Sequence, residues 1–246
     1  MSERRPRRAG GWPLGAASAG MANAATTSRL ENAMLEKLPD AIGHALREQR
    51  AGLDKTAFNA VDLRQGMAAI TVSSLAFVDH APIPERYTAD GAGLSPPLQW
   101  TGVPPGAASV VLIVEDADAP TPQPLVHAIV VGLDGEDGSL AEGALPSGDH
   151  EGIGLHLGRN SFLQASWLPP DPPPGHGTHR YAFQLFALES APSFEGSPGR
   201  EALLDAIREH GLASGCLIGT YERPDTSIAV GDLEAVAVAP QGPVAA

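Results

Sequence analysis

The chain has 246 residues, 43% hydrophobic and 18% charged, enough for one sizeable core with appendages. Its 29 acidic residues outnumber 16 basic ones, two of them lysines, and the net charge of -13 argues against a basic nucleic-acid-binding surface. The lone cysteine, Cys216, excludes an intrachain disulfide and a cysteine-based structural zinc site, and no run approaches the ~20 apolar residues of a membrane span.

Residues 1–27 open with Arg4, Arg5, Arg7 and Arg8 and continue as a Gly/Ala/Ser stretch, which reads as a disordered segment. A second reading takes the same stretch as a weak export signal ending at Ala22-Asn23-Ala24, while cytoplasmic residence is the primary expectation. Residues 28–52 form a helical arm. Ser28-Arg29-Leu30-Glu31 fits a capping box, and Leu30, Ala33, Met34, Leu38, Ala41, Ile42, Ala45 and Leu46 recur at helical spacing. Pro39 divides the arm into helices over about 28–38 and 40–50. The apolar stripe is expected to pack on its own domain, with a homodimer contact as the alternative.

Residues 53–228 read as one β domain. Strands are predicted at Ala68–Val72, Val110–Val114, His127–Leu133 and Tyr181–Leu188, separated by Pro/Gly/Asp clusters. In the last, Tyr181, Phe183 and Leu185 alternate with Ala182, Gln184 and Phe186; two apolar faces mark an inner strand. Leu203, Leu204 and Ile207 before Gly211 spell a short helix with a glycine stop, followed by a strand around Leu217–Tyr221. Residues 132–151 read as a solvated acidic connection, and 229–246 as a loose tail. Cys216 has the apolar surroundings of a packed thiol.

Chemistry gathers in the second half of this domain. Asp116-Ala117-Asp118-Ala119-Pro120 follows an aliphatic strand, with Asp116 and Asp118 expected on one side. The same residues also suit an ordinary turn. His127 opens an apolar strand, and Gly158-Arg159-Asn160-Ser161-Phe162 leads through Pro169–Pro174 to His179-Arg180-Tyr181. Arg159 and Arg180 suit loop bracing by carboxylate pairing first and anion contact second.

Four ordered blocks resemble the phosphatidylethanolamine-binding protein family, also called Raf-kinase-inhibitor-like, in its bacterial branch. They are Leu94-Ser95-Pro96-Pro97-Leu98-Gln99-Trp100 with Gly102 and Pro104; Asp116–Pro120 with His127; Gly158–Phe162 through Pro172, Pro173 and Gly175 to His179–Tyr181; and Gly219-Thr220-Tyr221. The resemblance spans about residues 68–223. It implies a mainly β fold, an antiparallel β-sandwich of a large and a smaller sheet with peripheral helices, and a small pocket for phosphate or phosphorylated head groups. Mapped residue by residue, that pocket is lined by Asp116, Asp118, Pro120, His127, Pro170, His179 and Tyr181. The pattern also makes Ala119–Pro120 a candidate cis peptide. Two departures stand out. Leu125, Val126 and Ala128 replace the aromatic residues usual around the strand histidine, removing that wall, and Ser166-Trp167-Leu168 replaces a Gly-Tyr-Gly-like turn.

The resulting expectation is a non-enzymatic binding protein for an anionic, phosphorylated group, without cofactor or resident metal. Regulation or inhibition of a protein partner, in the manner of a kinase or protease inhibitor, is the role the resemblance implies. The alternative is a metal-dependent or acid–base hydrolase using Asp116, Asp118, His127 and His179. Against it stands the absence of a Gly-x-Ser-x-Gly elbow and of His-Glu-x-x-His.

Overall fold

The computed structural model of the chain describes residues 40–61, 63, 68–147, 154–194 and 196–224. The expected disordered segment 1–27, the first half of the arm and the tail at 229–246 lie outside these described residues. Among them run strands β1 (Ala68–Ala69), β2 (Thr71–Ser73), β3 (Ala81–Pro82), β4 (Leu98–Thr101), β5 (Ser109–Asp116), β6 (Leu125–Asp134), β7 (Gly138–Leu140), β8 (His156–Leu157), β9 (His179–Leu188) and β10 (Gly211–Tyr221). Helices are α1 (Asp40–Leu46), α2 (Ala57–Val61) and α3 (Arg200–His210).

The protein is mainly β, with two sheets. A seven-stranded sheet has the order β1-β10-β9-β5-β6-β8, with β3 also pairing with β10; a three-stranded sheet runs β2-β4-β7. All pairings are antiparallel except those of β1 and β3 with β10. Composition explains the centre. Every residue of β5 is buried, and its β-branched run alternates between two apolar layers. Val110, Leu112 and Val114 face a core shared with the small sheet and with Tyr181, Phe183 and Leu185 of β9. Val111 and Ile113 face Phe186 and the α3 residues Leu203, Leu204 and Ile207. The large sheet is therefore a middle layer, covered by the small sheet on one face and by α3 on the other.

The predicted inner strand and the helix ending at glycine are both present. Gly211 donates its N–H to the Ile207 carbonyl, closing α3, and begins β10 without a loop. Gly219 permits a close crossing, because a Cβ there would stand 2.5–2.8 Å from Ile83 and Phe77 side-chain carbons. The stretch after Gly132 is more than a solvated connection. It forms β7 against β4, and Leu140, Ala144 and Leu145 enter the core. The arm's second half also docks differently from its apolar stripe. Ile42 is 39% exposed and Ala41 and Ala45 are exposed, whereas Gly43 is buried.

A buried polar cluster fastens the helices to the sheet. Glu115 accepts hydrogen bonds from Arg200 Nε (2.7 Å), Gln184 Nε2 (2.9 Å) and the Ala57 N–H (2.7 Å), while Gln184 Oε1 accepts from the Phe58 N–H (2.7 Å). Two N–H groups at the start of α2, which no helical carbonyl can satisfy, are thereby capped from the sheet. Removing Arg200 leaves the Glu115 charge buried beside a neutral amide. Arg200→Ala is expected to lower unfolding free energy by about 3–5 kcal/mol in urea titrations, with Glu115→Gln in the same background restoring part of it.

Candidate functional site

The site forms where three strands of the large sheet reach the same end. Pairing of β5 with β9 sets Asp116 opposite Tyr181. Across β5, Val114 pairs with Ala128 and Glu115 with Val126, so His127 is the extra residue of a bulge in β6. A bulge leaves one residue out of the ladder and bends the strand locally, which re-aims a side chain. Here it brings the His127 ring to 5.2 Å from Tyr181, edge to face, and to 6.1 Å from Trp167. Trp167 restores an aromatic neighbour for the histidine, the wall that the strand residues Leu125, Val126 and Ala128 lack.

His127 is held by its backbone surroundings. Its Nδ1 lies 2.6 Å from the Leu168 carbonyl, an acceptor, so Nδ1 carries the hydrogen and donates. Burial pushes the imidazole pKa down, so the ring is neutral and Nε2 presents a lone pair. Burial, reinforced by Asp116, pushes the Tyr181 phenol well above its ordinary range, keeping the hydroxyl a donor. His127 Nε2, Trp167 Nε1 and the Tyr181 hydroxyl are buried and find no hydrogen-bond partner among the described residues. Each such atom costs about 1–3 kcal/mol. Three together are a large fraction of the ~5–15 kcal/mol that holds a domain folded.

Beside this trio runs a filled chain of hydrogen bonds. Asp116 Oδ2 is 2.7 Å from His179 Nδ1, His179 Nε2 is 2.7 Å from His176 Nδ1, and His176 Nε2 is 2.8 Å from the Leu46 carbonyl. Asp118 is the second anchor. It is fully buried and accepts from Arg180 Nε and Nη2, each at 2.7 Å, and from the Arg180 N–H at 2.9 Å, while Arg50 Nη1 approaches to 3.0 Å. Burial raises the Asp118 pKa, but the Arg180 fork and Arg50 outweigh it and hold the carboxyl below the usual range.

Of the residues expected to line a pocket, Asp116, His127, His179 and Tyr181 come together and are at most 5% exposed. Asp118 braces this group through Arg180, the bracing role expected first for that arginine. Pro170 is buried with its carbonyl accepting from the Ala89 N–H, and Pro120 lines a separate cleft of about 340 Å³ with Glu48, Gln49, Arg50, Lys55, Thr121 and Pro122. The candidate cis peptide is not present: Ala119–Pro120 is trans, and the Ala119 carbonyl accepts the Thr121 N–H at 2.8 Å across Pro120 in a γ-turn. The hydrolase set is not gathered into a metal-binding group among the described residues. Asp118 is spent on arginines and His179 on Asp116 and His176. Burial pushes the Cys216 thiol up to about 12, a packed group.

Sequence reasoning passed over Trp167, His176, Arg50 and Arg223. A tryptophan just before the proline run was the available signal for the first. Arg223 joins Asp90 (2.8 Å), Asp171 (2.5 Å) and the Pro172 carbonyl (3.3 Å), fixing the proline-rich wall against the end of β10.

The sequence pattern of the phosphatidylethanolamine-binding protein family matches residues 73–222. The chain belongs to that family. It is 44% identical over 153 residues to a Mycobacterium tuberculosis UPF0098 protein, covering 62% of this chain and 70% of that one. With the UPF0098 protein of Methanothermobacter thermautotrophicus the identity is 37% over 153 residues, 60% of this chain and 95% of the relative. The crystal structure of a family homologue from Chlamydia trachomatis superposes with a TM-score of 0.57 at 38% identity, covering 63% of this chain and 98% of that one. Escherichia coli YbcL, described as a member of the mammalian family, gives 0.56 at 28% identity, covering 63% and 99%. The family match contains every residue of the unpartnered trio and of the Asp116–His179–His176 chain, but not Leu46 or Arg50.

Because Asp118 holds its proton less tightly folded than unfolded, its ion pairs stabilise above the unfolded pKa of about 3.9, and this contribution is lost as pH falls through lower values. Asp118→Asn is expected to be less stable at pH 7 and to show a flatter loss of stability between about pH 4 and 2, read by thermal unfolding across that range.

Proposed function

We propose that this family member is a binding protein that takes a small, singly charged phosphorylated group at His127 Nε2, Trp167 Nε1 and the Tyr181 hydroxyl. The three unpartnered buried atoms carry the reading. Two are donors and one is an acceptor, a set matched by a phosphate monoester monoanion: two oxygens accept from Trp167 and Tyr181, and its remaining P–OH donates to His127. Binding therefore weakens as pH rises past the second phosphate pKa of about 6. Free phosphate and a phospholipid head group share this chemistry, and phosphoethanolamine against inorganic phosphate separates them.

Control of a protein partner through the same pocket is the role proposed for the bound state, with the cytoplasm as the proposed compartment. A Mycobacterium tuberculosis relative, LppC, 38% identical over 154 residues, is named as a candidate lipoprotein, which makes export the alternative. No helix among the described residues is long and apolar enough to cross a membrane.

Tyr181→Phe tests the reading because it deletes one oxygen that has no protein partner. Without ligand the variant is expected to be as stable as the parent or slightly more so. At ~100 times the dissociation constant, phosphoethanolamine at pH 5.5 should stabilise the parent by about 2.7 kcal/mol, roughly 5–10 °C, and the variant far less. Equal shifts in both proteins would place the ligand elsewhere.

A further inference from the structure

Residues 43–52 lie outside the family match, yet they pack on the loops that flank the site. The Leu46 carbonyl accepts from His176 Nε2, Arg50 donates to the Thr178 carbonyl (2.8 Å) and the His176 carbonyl (3.0 Å), and Arg50 also pairs with Asp118. The Ala51 N–H donates to the Ala119 carbonyl (3.0 Å) and the Gly52 N–H to the Ala117 carbonyl (2.7 Å). One short segment thus bridges the loop after β5, which carries Asp118, and the loop before β9, which carries His176, beside the strand-end residues Asp116 and His179. Gly43 makes the close approach possible, since a Cβ there would overlap the Pro174 carbonyl oxygen.

Hydrogen counting shows what this does to the site. Leu46 O is an acceptor, so His176 Nε2 carries hydrogen; the His176–His179 and His179–Asp116 contacts need one hydrogen each. Two neutral imidazoles and a carboxylate supply two, and the closed chain holds three. The set is therefore without net charge, and neither nitrogen of His179 is free. The charged groups facing it are Asp116, Asp118 and Arg180 from the strand ends and Arg50 from the covering segment, with His127 across the site.

We propose that residues 43–52 are a strap that seals the site, and that His176 is the positioning residue that couples strap to ligand. With the strap seated, Leu46 fixes His176 and His176 takes the Nε2–H of His179. With the strap released, His176 turns away and that N–H becomes a third donor for the anion. The inference rests on the proposed function for its ligand, but the strap itself is measurable without one.

The test uses the full-length chain with Gly43→Ala, which disrupts the fit of the segment against the Pro174 carbonyl and the His176 backbone N–H, and His176→Phe, which removes the acceptor for His179. In Gly43→Ala, hydrogen exchange across residues 43–52 should quicken about tenfold. Carbethoxylation of His176 by diethylpyrocarbonate, followed by peptide mass mapping, should quicken as the strap lifts, and that of His127 as the site opens. Phosphoethanolamine affinity by calorimetry should rise about tenfold in both variants, as for removal of a closed state that withholds the site. Unchanged exchange in Gly43→Ala, or faster exchange with His127 still protected, overturns the strap. Binding by the parent with unchanged or weaker affinity in the variants overturns the coupling. If no variant binds phosphoethanolamine, the proposed function fails, and exchange and carbethoxylation still decide whether the strap seals the site.

Discussion

The antiparallel pairing of β5 with β9 is the constraint on which the site depends. Both strands are buried on both faces, so their interiors accept almost nothing polar that is not matched, and Glu115 with Gln184 is the matched exception. Polar chemistry is displaced to the strand ends. There the register sets Asp116 beside Tyr181, and the two-residue alternation of β9 puts His179 on the same face. The β6 bulge delivers His127 to this corner. A slip of one residue in either pairing would turn these side chains into the opposite layer.

Local electrostatics then separate two neighbouring groups of opposite character. Asp116, Asp118, Arg180, Arg50, His176 and His179 satisfy one another almost completely, as buried charge requires. His127, Trp167 and Tyr181, a few ångströms away, are sealed from water without that compensation. In a chain of net charge -13 the proposed anion would be drawn to this corner by short-range hydrogen bonding and not by the field of the whole molecule. The satisfied group supplies rigidity, and the unsatisfied trio supplies the free energy available to a ligand.

Much of this architecture was legible in the sequence because it is local. Period-two alternation named the inner strand at Tyr181–Leu188, the aliphatic run at Val110–Val114 marked its partner, and Gly211 marked the helix stop. Short ordered motifs carried the family and therefore the two-sheet fold. Less legible was whatever depended on chain-distant contact. Leu46 and His176 are 130 residues apart, and no periodicity announces that the second half of the arm docks by Gly43 and not by Ala41, Ile42 and Ala45. The dual engagement of His179, which sets it apart from the open trio, follows from contact geometry that composition does not encode. Trp167 was visible as a substitution, but its approach to His127 comes from a loop whose path sequence spacing does not define. The small strand at Gly138–Leu140 was hidden by glycine and acidic neighbours that read as solvated chain.

The central claim is that Trp167, Tyr181 and His127 receive one phosphorylated group. Trp167 Nε1 is the most direct reporter, because the Trp100 indole already donates to the Glu136 carbonyl at 3.0 Å and serves as an internal control. The decisive measurement is the indole N–H region of the ¹⁵N–¹H correlation spectrum during titration with phosphoethanolamine at pH 5.5. The account requires a saturable downfield shift of the Trp167 resonance with Trp100 unmoved, and its loss in Tyr181→Phe at the same ligand concentration. A Trp167 resonance that stays fixed while binding is recorded by calorimetry would contradict it.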